Sequence, residues 1–314
     1  MDDVPLPDRR LVGVGVARRL VASQFPRWAD LPVRPVPVSG WDNQTFRLGE
    51  HLTVRLPTAR EYALAVEKEH RWLPVFAPLL PLTVPVPVAR GVPDGDFAFE
   101  WSVYPWIDGV TVDADSIRDP VEFADSLAAF LVALRGVDPT GGPGPGPHNW
   151  FRGGPPHSYE AQVLRSVGRL GGRIPRPLVL EIWQAGVDAT WAGRPVWFHG
   201  DVAPGNLLLR DGVLSAVIDF GTCGVGDPAC DLPIAWTLFT GASRDAFRAR
   251  LGVDAGTWAR GRAWALWKAL LLYADAGPGA AAAARVVDEI CAEYASPLPG
   301  PLAVAEHGEP GQDD

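Results

Sequence analysis

Lysine is the scarcest of the charged residues in this chain. Of 28 basic residues only Lys68 and Lys268 are lysines. With the accompanying excess of Ala, Gly, Pro and Arg, this points to compositional bias, so a single Pro or Gly carries less weight as a structural mark. Cysteine is also sparse. Cys223, Cys230 and Cys291 cannot all pair and none stands in CxxC spacing, so reduced thiols are expected rather than a disulfide framework. No run of about 18 uncharged apolar residues occurs, which argues against a membrane span. The opening MDDVPLPDRR is acidic and mixed, unlike a secretory leader, and a cytoplasmic protein is expected. The net charge of −9 argues against a nucleic-acid surface. GVGVAR, near the start, has no strand before it and no third Gly after it, so it is not a dinucleotide fingerprint.

What is present is ample apolar material, 47% of 314 residues, enough for one large domain or two lobes. Residues 9–24 have the pattern of an amphipathic helix. VRPVPV, QTFRL and LTVRLP, separated by SGWDN and GEH, predict antiparallel strands. Residues 60–73 predict a helix ended by Pro74, and VPVPVARG and FAFEWSVYPW resume strand character. Beyond IDG the pattern turns helical: VEFADSLAAFLVALRGV, then 158–170, 177–191, 230–241, 244–251, 256–275 and 279–295. A Pro/Gly stretch containing HNWFRGG follows the first of these, and the strand pair LLLR and VLSAVIDF interrupts the rest. A β-rich first third and a helical remainder without βαβ alternation predict an α+β bilobal fold. The expected division is 1–108, nucleotide-binding; 109–296, catalytic and acceptor-binding; and 297–314, a disordered acidic tail.

Charge is unevenly distributed between the two parts. Residues 1–109 carry 13 acids and 12 bases, and residues 110–314 carry 24 acids and 16 bases. Half of that surplus lies in the tail, at Glu306, Glu309, Asp313 and Asp314. The modestly acidic second part would favour a cationic ligand.

The chemistry concentrates in HGDVAPGN, residues 199–206. It holds Asp201 at the end of an apolar strand and Asn206 five positions on, with a Pro and a Gly between. Thirteen residues further, Asp219 ends another apolar strand in VIDFG, where an unpaired buried carboxylate would cost several kcal/mol. Two carboxylates and an amide oxygen are hard-oxygen donors suited to Mg²⁺. Read alone, Asp201 and Asn206 could also be simple turn residues. In the order Asp-x4-Asn, then Asp-Phe-Gly, they fit phosphoryl transfer, with one Asp at the acceptor hydroxyl and the other two residues on metal.

That chemistry also needs a cation for the phosphates and an acid to hold it. Glu69 falls within the apolar face Tyr62, Ala65, Val66, Trp72, Leu73 of the 60–73 helix. Arg55 alternates against Val54 in LTVRLP and can meet Glu69; the alternative is a snorkelling Arg55 and a solvated Glu69. Lys68 and Lys268 are weaker candidates for that cation, one facing elsewhere on the helix and the other on a distant helix. SGWDN would lie over a nucleotide, with Gly40 in its turn and Ser39 and Asn43 as donors.

HGDVAPGN, VIDFG, GDPACDL and the series SGWDN, TVRLP, EKE together resemble the aminoglycoside phosphotransferase family, a branch of the protein-kinase-like fold that includes macrolide and choline kinases. The resemblance covers roughly residues 33–295. It implies a two-lobed, Mg²⁺-dependent enzyme that passes the γ-phosphoryl of ATP, or of GTP, to a hydroxyl of a small molecule. By the match, Asp201 is the catalytic acid, Asn206 and Asp219 are metal ligands, and Arg55 and Glu69 are the ion pair. Backbone groups near Pro105 and Ile107 would hold the purine, and Asp231 would anchor the catalytic loop. Arg at position 55 is closer to the macrolide-kinase side of the family than to its lysine-bearing aminoglycoside enzymes. Gly200 in place of the kinase arginine, and the short TCGVGDPACDL after DFG, imply a small acceptor rather than a protein. Aminoglycosides, macrolides and amino alcohols of the choline type are the candidate acceptors. A nucleotide-binding protein that has lost catalysis is the competing class. HNWFRGG could be a lid, an acceptor wall or a linker. Trp264 and Trp267 are expected in the core, and Asp227 either faces the acceptor or caps a helix.

Overall fold

The computed structural model describes residues 12–37, 40 and 42–296. The acidic tail, the first residues of the 9–24 helix and Ser39 lie outside the described residues. Helix α1 (Val14–Gln24) precedes a five-stranded antiparallel sheet made of β1 (Val33–Pro35), β2 (Asn43–Leu48), β3 (Leu52–Pro57), β4 (Ala89–Gly91) and β5 (Trp101–Pro105). The sheet order is β1-β2-β3-β5-β4, and helix α2 (Arg60–Phe76) crosses over between β3 and β4. Register puts Arg55 between Thr45 on β2 and Ser102 on β5, in the middle of the sheet.

Two expected strands are shorter than their apolar runs. VRPVPV forms β1 only through Pro35, and the 84–88 segment forms no strand at all. Pro35, Pro37, Pro85 and Pro87 lack the N–H a ladder requires. The reverse holds at Pro74, which lies inside α2 instead of ending it. Only one bond of the helix is lost so close to its end, and fully buried Leu73 and Phe76 hold the last turn in the core.

After β5 the chain forms β6 (Val110–Thr111), α3 (Pro120–Arg135), α4 (Glu160–Leu170), α5 (Arg176–Asp188) and β7 (Val196–Phe198). β8 (Leu207–Arg210), β9 (Val213–Val217) and β10 (Gly224–Gly226) follow, then α6 (Ile234–Thr237), α7 (Gly241–Leu251), α8 (Ala255–Ala274) and α9 (Ala280–Ala295). Local signals set several starts. Asp119 caps α3 ahead of Pro120, and Asp254 accepts from the Thr257 N–H at 2.6 Å to cap α8. The helix expected over 230–241 is reduced to α6, because Pro228–Asp231 forms a separate 3-10 turn and Pro233 follows it.

The sheet lobe and the helical lobe have separate cores. One joins α1 to the sheet through Leu20, Val21, Phe46, Val54 and Val103. The other runs through α3, α5, α8 and α9, and it also takes Trp72, Leu73 and Phe76 from α2. Helix α2 thus belongs to the sheet lobe by sequence and to the helical core by its last turns. Trp72 and Phe76 meet Trp197 of β7 at ring distances of 4.6 and 4.8 Å. This contact fixes α2 against the strand that leads into HGDVAPGN.

Candidate active site

HGDVAPGN links β7 to β8 and is held from behind. Fully buried Asp231 accepts from the His199 N–H at 3.0 Å and the Gly200 N–H at 2.6 Å, satisfying two loop donors with one carboxylate. The Asp201 N–H donates to His199 Nδ1 at 3.2 Å, so the ring proton sits on Nε2, which donates to the Ile218 carbonyl at 3.0 Å. The imidazole packs edge-on against Phe220 of the DFG segment, with centroids 4.6 Å apart. Gly200 has φ +87, and a Cβ there would sit 2.7 Å from the Thr222 carbonyl oxygen. Conformation and close approach both require glycine, which is a structural reason for the missing kinase arginine.

The stiff loop places Asp201 and Asn206 side by side. Asn206 Nδ2 donates to the Asp201 carbonyl at 2.9 Å and to Asp201 Oδ2 at 3.0 Å. The amide is thereby oriented with its nitrogen on Asp201 and its oxygen turned to the other side. Asp201 Oδ1 accepts from Lys268 Nζ of α8 at 2.8 Å. Burial opposes the Asp201 charge, but Lys268 overrides it and holds the carboxyl below its ordinary value.

Asp219 follows β9 in the left-handed region, φ +67. Its Oδ1 accepts from Arg55 Nη2 at 2.8 Å, and Arg55 Nη1 lies 3.8 Å from Glu69 Oε1. Arg55 therefore bridges α2 to the DFG carboxylate. Burial works against its charge, yet Asp219 and Glu69 together hold its pKa above the ordinary value. Glu69, 4% exposed, also accepts from the Tyr104 hydroxyl of β5, and burial pushes its carboxyl up despite Arg55.

Lys68, expected to face elsewhere, is buried in this cluster. Its Nζ donates to the Gly221 carbonyl at 2.7 Å and the Cys223 carbonyl at 2.9 Å, and lies 3.1 Å from His148 Nδ1. One ammonium thus ties α2, the DFG segment and the Pro/Gly stretch together. His148 Nε2 lies 2.9 Å from the Gly144 carbonyl and donates to it, so Nδ1 is left to accept from Lys68.

A cleft of about 400 Å³ opens beside Arg55, lined by Asp42, Asn43, Glu69, Tyr104 and Trp150 among others. It brings Asn43, Arg55 and Glu69 together. Gly40 belongs to the same turn, while Pro105 and Ile107 lie at and beyond the end of β5 and are not among its lining residues. Asp42 is the residue of SGWDN that sequence reasoning passed over. Burial first, and Asp219 next, push its carboxyl up to about 7.

A second cleft, of about 280 Å³, is lined by Asp201 itself, with Arg152, Trp264, Trp267 and Lys268 in its walls. HNWFRGG spans both clefts. Trp150 meets Tyr62 of α2 at a ring distance of 5.9 Å, and Arg152 Nε donates to the Gly200 carbonyl at 3.1 Å. Trp150 and Phe151 are both left-handed, a strained pair that no residue-type signal announces. Trp264 and Trp267 are buried as expected and also serve as cleft wall. Asp227 is a cap and a buried ion pair. It accepts from the Ala229 N–H at 3.1 Å and from Arg260 Nε at 2.6 Å.

Lys268 was legible in one respect: it stands four residues after Trp264 on a helical face otherwise apolar. What sequence does not reveal is that this face looks onto HGDVAPGN. Among the described residues, no group of three His, Cys, Asp or Glu side chains could hold a metal ion. The Asn206 and Asp219 pair is instead a two-donor oxygen set, compatible with an ion that keeps waters and takes phosphate oxygens.

The model of the family described as "Phosphotransferase enzyme family" matches residues 33–264. No curated protein matches the sequence significantly. Among solved structures, aminoglycoside 2'-phosphotransferase-IIIa in its GDP complex superposes with a TM-score of 0.66 at 15% identity, covering 90% of this chain and 99% of that one. A macrolide 2'-phosphotransferase from Brachybacterium faecium gives 0.57 at 23% identity over 86% and 97% of the two chains. A type I macrolide 2'-phosphotransferase gives 0.58 at 21% identity, over 86% and 94%. These likenesses establish the kinase-like two-lobed fold. With the family match over most of its length, the chain belongs to the phosphotransferase enzyme family.

Proposed function

We propose that the chain transfers the γ-phosphoryl group of ATP or GTP to a hydroxyl of a small molecule, with Mg²⁺ as cofactor. The observation that carries this reading is the Asp201–Asn206 contact on a loop held by Asp231, joined to the DFG segment by the Ile218 N–H donating to the Asn206 carbonyl at 2.9 Å, one residue before Asp219. Solved neighbours are described in complexes with GDP, with ADP, and with ATP and streptomycin, which supports a purine nucleotide as donor. The N-terminal 108 residues would take the nucleotide and residues 109–296 the acceptor. A cytosolic nucleotide donor fits a cytoplasmic protein, and no helix among the described residues is long and apolar enough to cross a membrane.

In this reading Asp201 accepts a hydrogen bond from the acceptor hydroxyl and takes its proton as the oxygen–phosphorus bond forms. The bond from the γ-phosphorus to its bridging oxygen breaks, and the nucleoside diphosphate leaves. Asn206 Oδ1 and Asp219 would hold the metal, which supplies charge neutralisation at the phosphates. Arg55, set by Glu69, steadies the phosphates, with Gly40, Asn43 and Ser39 at the loop above and backbone near Pro105 and Ile107 on the base. Catalysis is then positioning and charge stabilisation. Aminoglycosides and macrolides are acceptor candidates because the neighbours are named for them, and amino-alcohol metabolites form the alternative class.

A second reading, nucleotide binding without turnover, draws on the Arg55 contact to Asp219 Oδ1, because that oxygen is also wanted by a metal. Radiolabelled γ-phosphate transfer over a panel of hydroxyl acceptors separates the two. Transfer that disappears in Asp201→Ala, while calorimetric nucleotide affinity persists, supports the kinase. Equal loss of both in that variant contradicts the assigned roles.

A further inference from the structure

The cleft on the acceptor side of Asp201 has a charge opposite to that of the chain. Its lining holds two cations, Arg152 and Lys268, against a single carboxylate, Asp201 itself. Asp227, which sequence left at either the acceptor or a helix cap, is 2% exposed and neutralised by Arg260 through contacts of 2.6 and 3.2 Å. Gln162, the polar neighbour of the wall, has its oxygen engaged by Trp267 Nε1 at 2.8 Å. The rest of the lining is largely apolar, with Val202, Cys230 and Pro233 beside Trp264 and Trp267. Tyr159 lies 4.0 Å from Trp267, and the Arg152 guanidinium sits 4.8 Å above Trp267 and 5.2 Å from Trp264.

Both oxygens of Asp201 are occupied, Oδ1 by Lys268 at 2.8 Å and Oδ2 by Asn206 at 3.0 Å. Asn206 is fixed by its second bond to the Asp201 carbonyl, whereas Lys268 reaches in on a flexible stem that is 44% exposed. An acceptor hydroxyl therefore enters at Oδ1 and shifts Lys268 from its partner. The freed ammonium then faces the acceptor, beside Arg152, with no other carboxylate in the lining to take it. A polycationic ligand would meet two like charges here, and an anionic one would complete the pair.

On the kinase reading of Asp201, we infer that the acceptor bears an anionic group, a carboxylate or phosphate, beside its reacting hydroxyl, bound by Lys268 and Arg152 against the Trp264 and Trp267 wall. This sets the acceptor class apart from aminoglycosides. Lys268 is a specificity-determining residue as well as the partner of Asp201.

The test uses the full chain with Mg²⁺ and a non-hydrolysable nucleotide, and three probes with the hydroxyl on the same carbon: phenyllactate, 3-phenylpropane-1,2-diol and 1-amino-3-phenylpropan-2-ol. Tryptophan fluorescence titration is expected to rank the acid above the diol, and the diol above the amine, with about a tenfold advantage of acid over amine that falls with added salt. Lys268→Gln should erase most of that advantage, and Lys268→Arg should keep it. The amine 1-amino-3-phenylpropan-2-ol binding as tightly as phenyllactate, no binding of phenyllactate, or a preference unchanged in Lys268→Gln would each overturn the inference. With ATP in place of the analogue, so would an equal fall in turnover for every acceptor in Lys268→Gln, because Lys268 would then act only through Asp201. Efficient transfer from ATP to kanamycin, again in place of the analogue, would sink the anionic acceptor and leave the kinase standing. Failure to bind nucleotide in the same samples would instead sink the kinase reading.

Discussion

Replacing Asp42 by Asn gives a stability difference whose sign and pH dependence follow from the site. Asp42 lies beside the DFG segment, with its Oδ2 3.9 Å from where a Cβ on Gly221 would stand and Asp219 Oδ1 3.5 Å from the same point. Burial and the neighbouring Asp219 charge raise its pKa from 3.8 to about 7, against a smaller opposing pull from Arg55. An acid raised in this way binds more protons folded than unfolded. Its favourable contribution is complete below about pH 4 and is lost as pH rises through 7. At about 1.4 kcal/mol per pH unit, the gap between the two pKa values corresponds to about 4 kcal/mol. Asp42→Asn keeps shape and size but does not titrate. In metal- and nucleotide-free buffer, the stability of Asp42→Asn minus that of the wild type should rise by about that amount between pH 4 and 7.5 and stay level above. Urea unfolding followed by tryptophan fluorescence across the series measures it, and titrating groups remote from Asp42 cancel in the difference. A difference that is flat over this range, or that falls with pH, refutes the crowding of carboxylates on which the number rests.

Further outcomes follow from other parts of the site. Gly200→Ala forces a Cβ to within 2.7 Å of the Thr222 carbonyl oxygen at φ +87; it should cost about 2–4 kcal/mol in urea unfolding and lower turnover by displacing Asp201. Lys68→Met leaves the Gly221 and Cys223 carbonyls without their shared donor; a loss of about 1–3 kcal/mol and faster amide exchange across 219–223 are expected. Asp231→Asn turns a two-acceptor carboxylate into an amide with one oxygen for the His199 and Gly200 N–H groups; unfolding should show a loss of about 2–3 kcal/mol, and kcat should drop more than nucleotide affinity.

The fold was legible because its signals are local. Apolar alternation in QTFRL and LTVRLP gave the central strands, and helical periodicity gave α3 and α8. Where it misled, proline was the reason in both directions, shortening β1 and the 84–88 run and failing to end α2. The site was legible where chemistry is written in a motif. Asp201 and Asn206 touch, and Arg55 joins Glu69 to Asp219. It was illegible where tertiary packing decides. The chain's two lysines lie 200 positions apart and were set aside, yet one braces the DFG segment and the other holds Asp201. Nothing in residue spacing brings α8 to HGDVAPGN, because that approach comes from the helical core.

The central claim is that Asp201, Asn206 and Asp219 form a metal-assisted phosphoryl-transfer site. The most direct measurement is release of γ-phosphate from ATP or GTP as a function of Mg²⁺, comparing the wild type with Asp219→Ala. The account predicts slow, Mg²⁺-dependent hydrolysis that falls by about a hundredfold or more in Asp219→Ala. Release that needs no divalent cation, or that survives in Asp219→Ala, would contradict it.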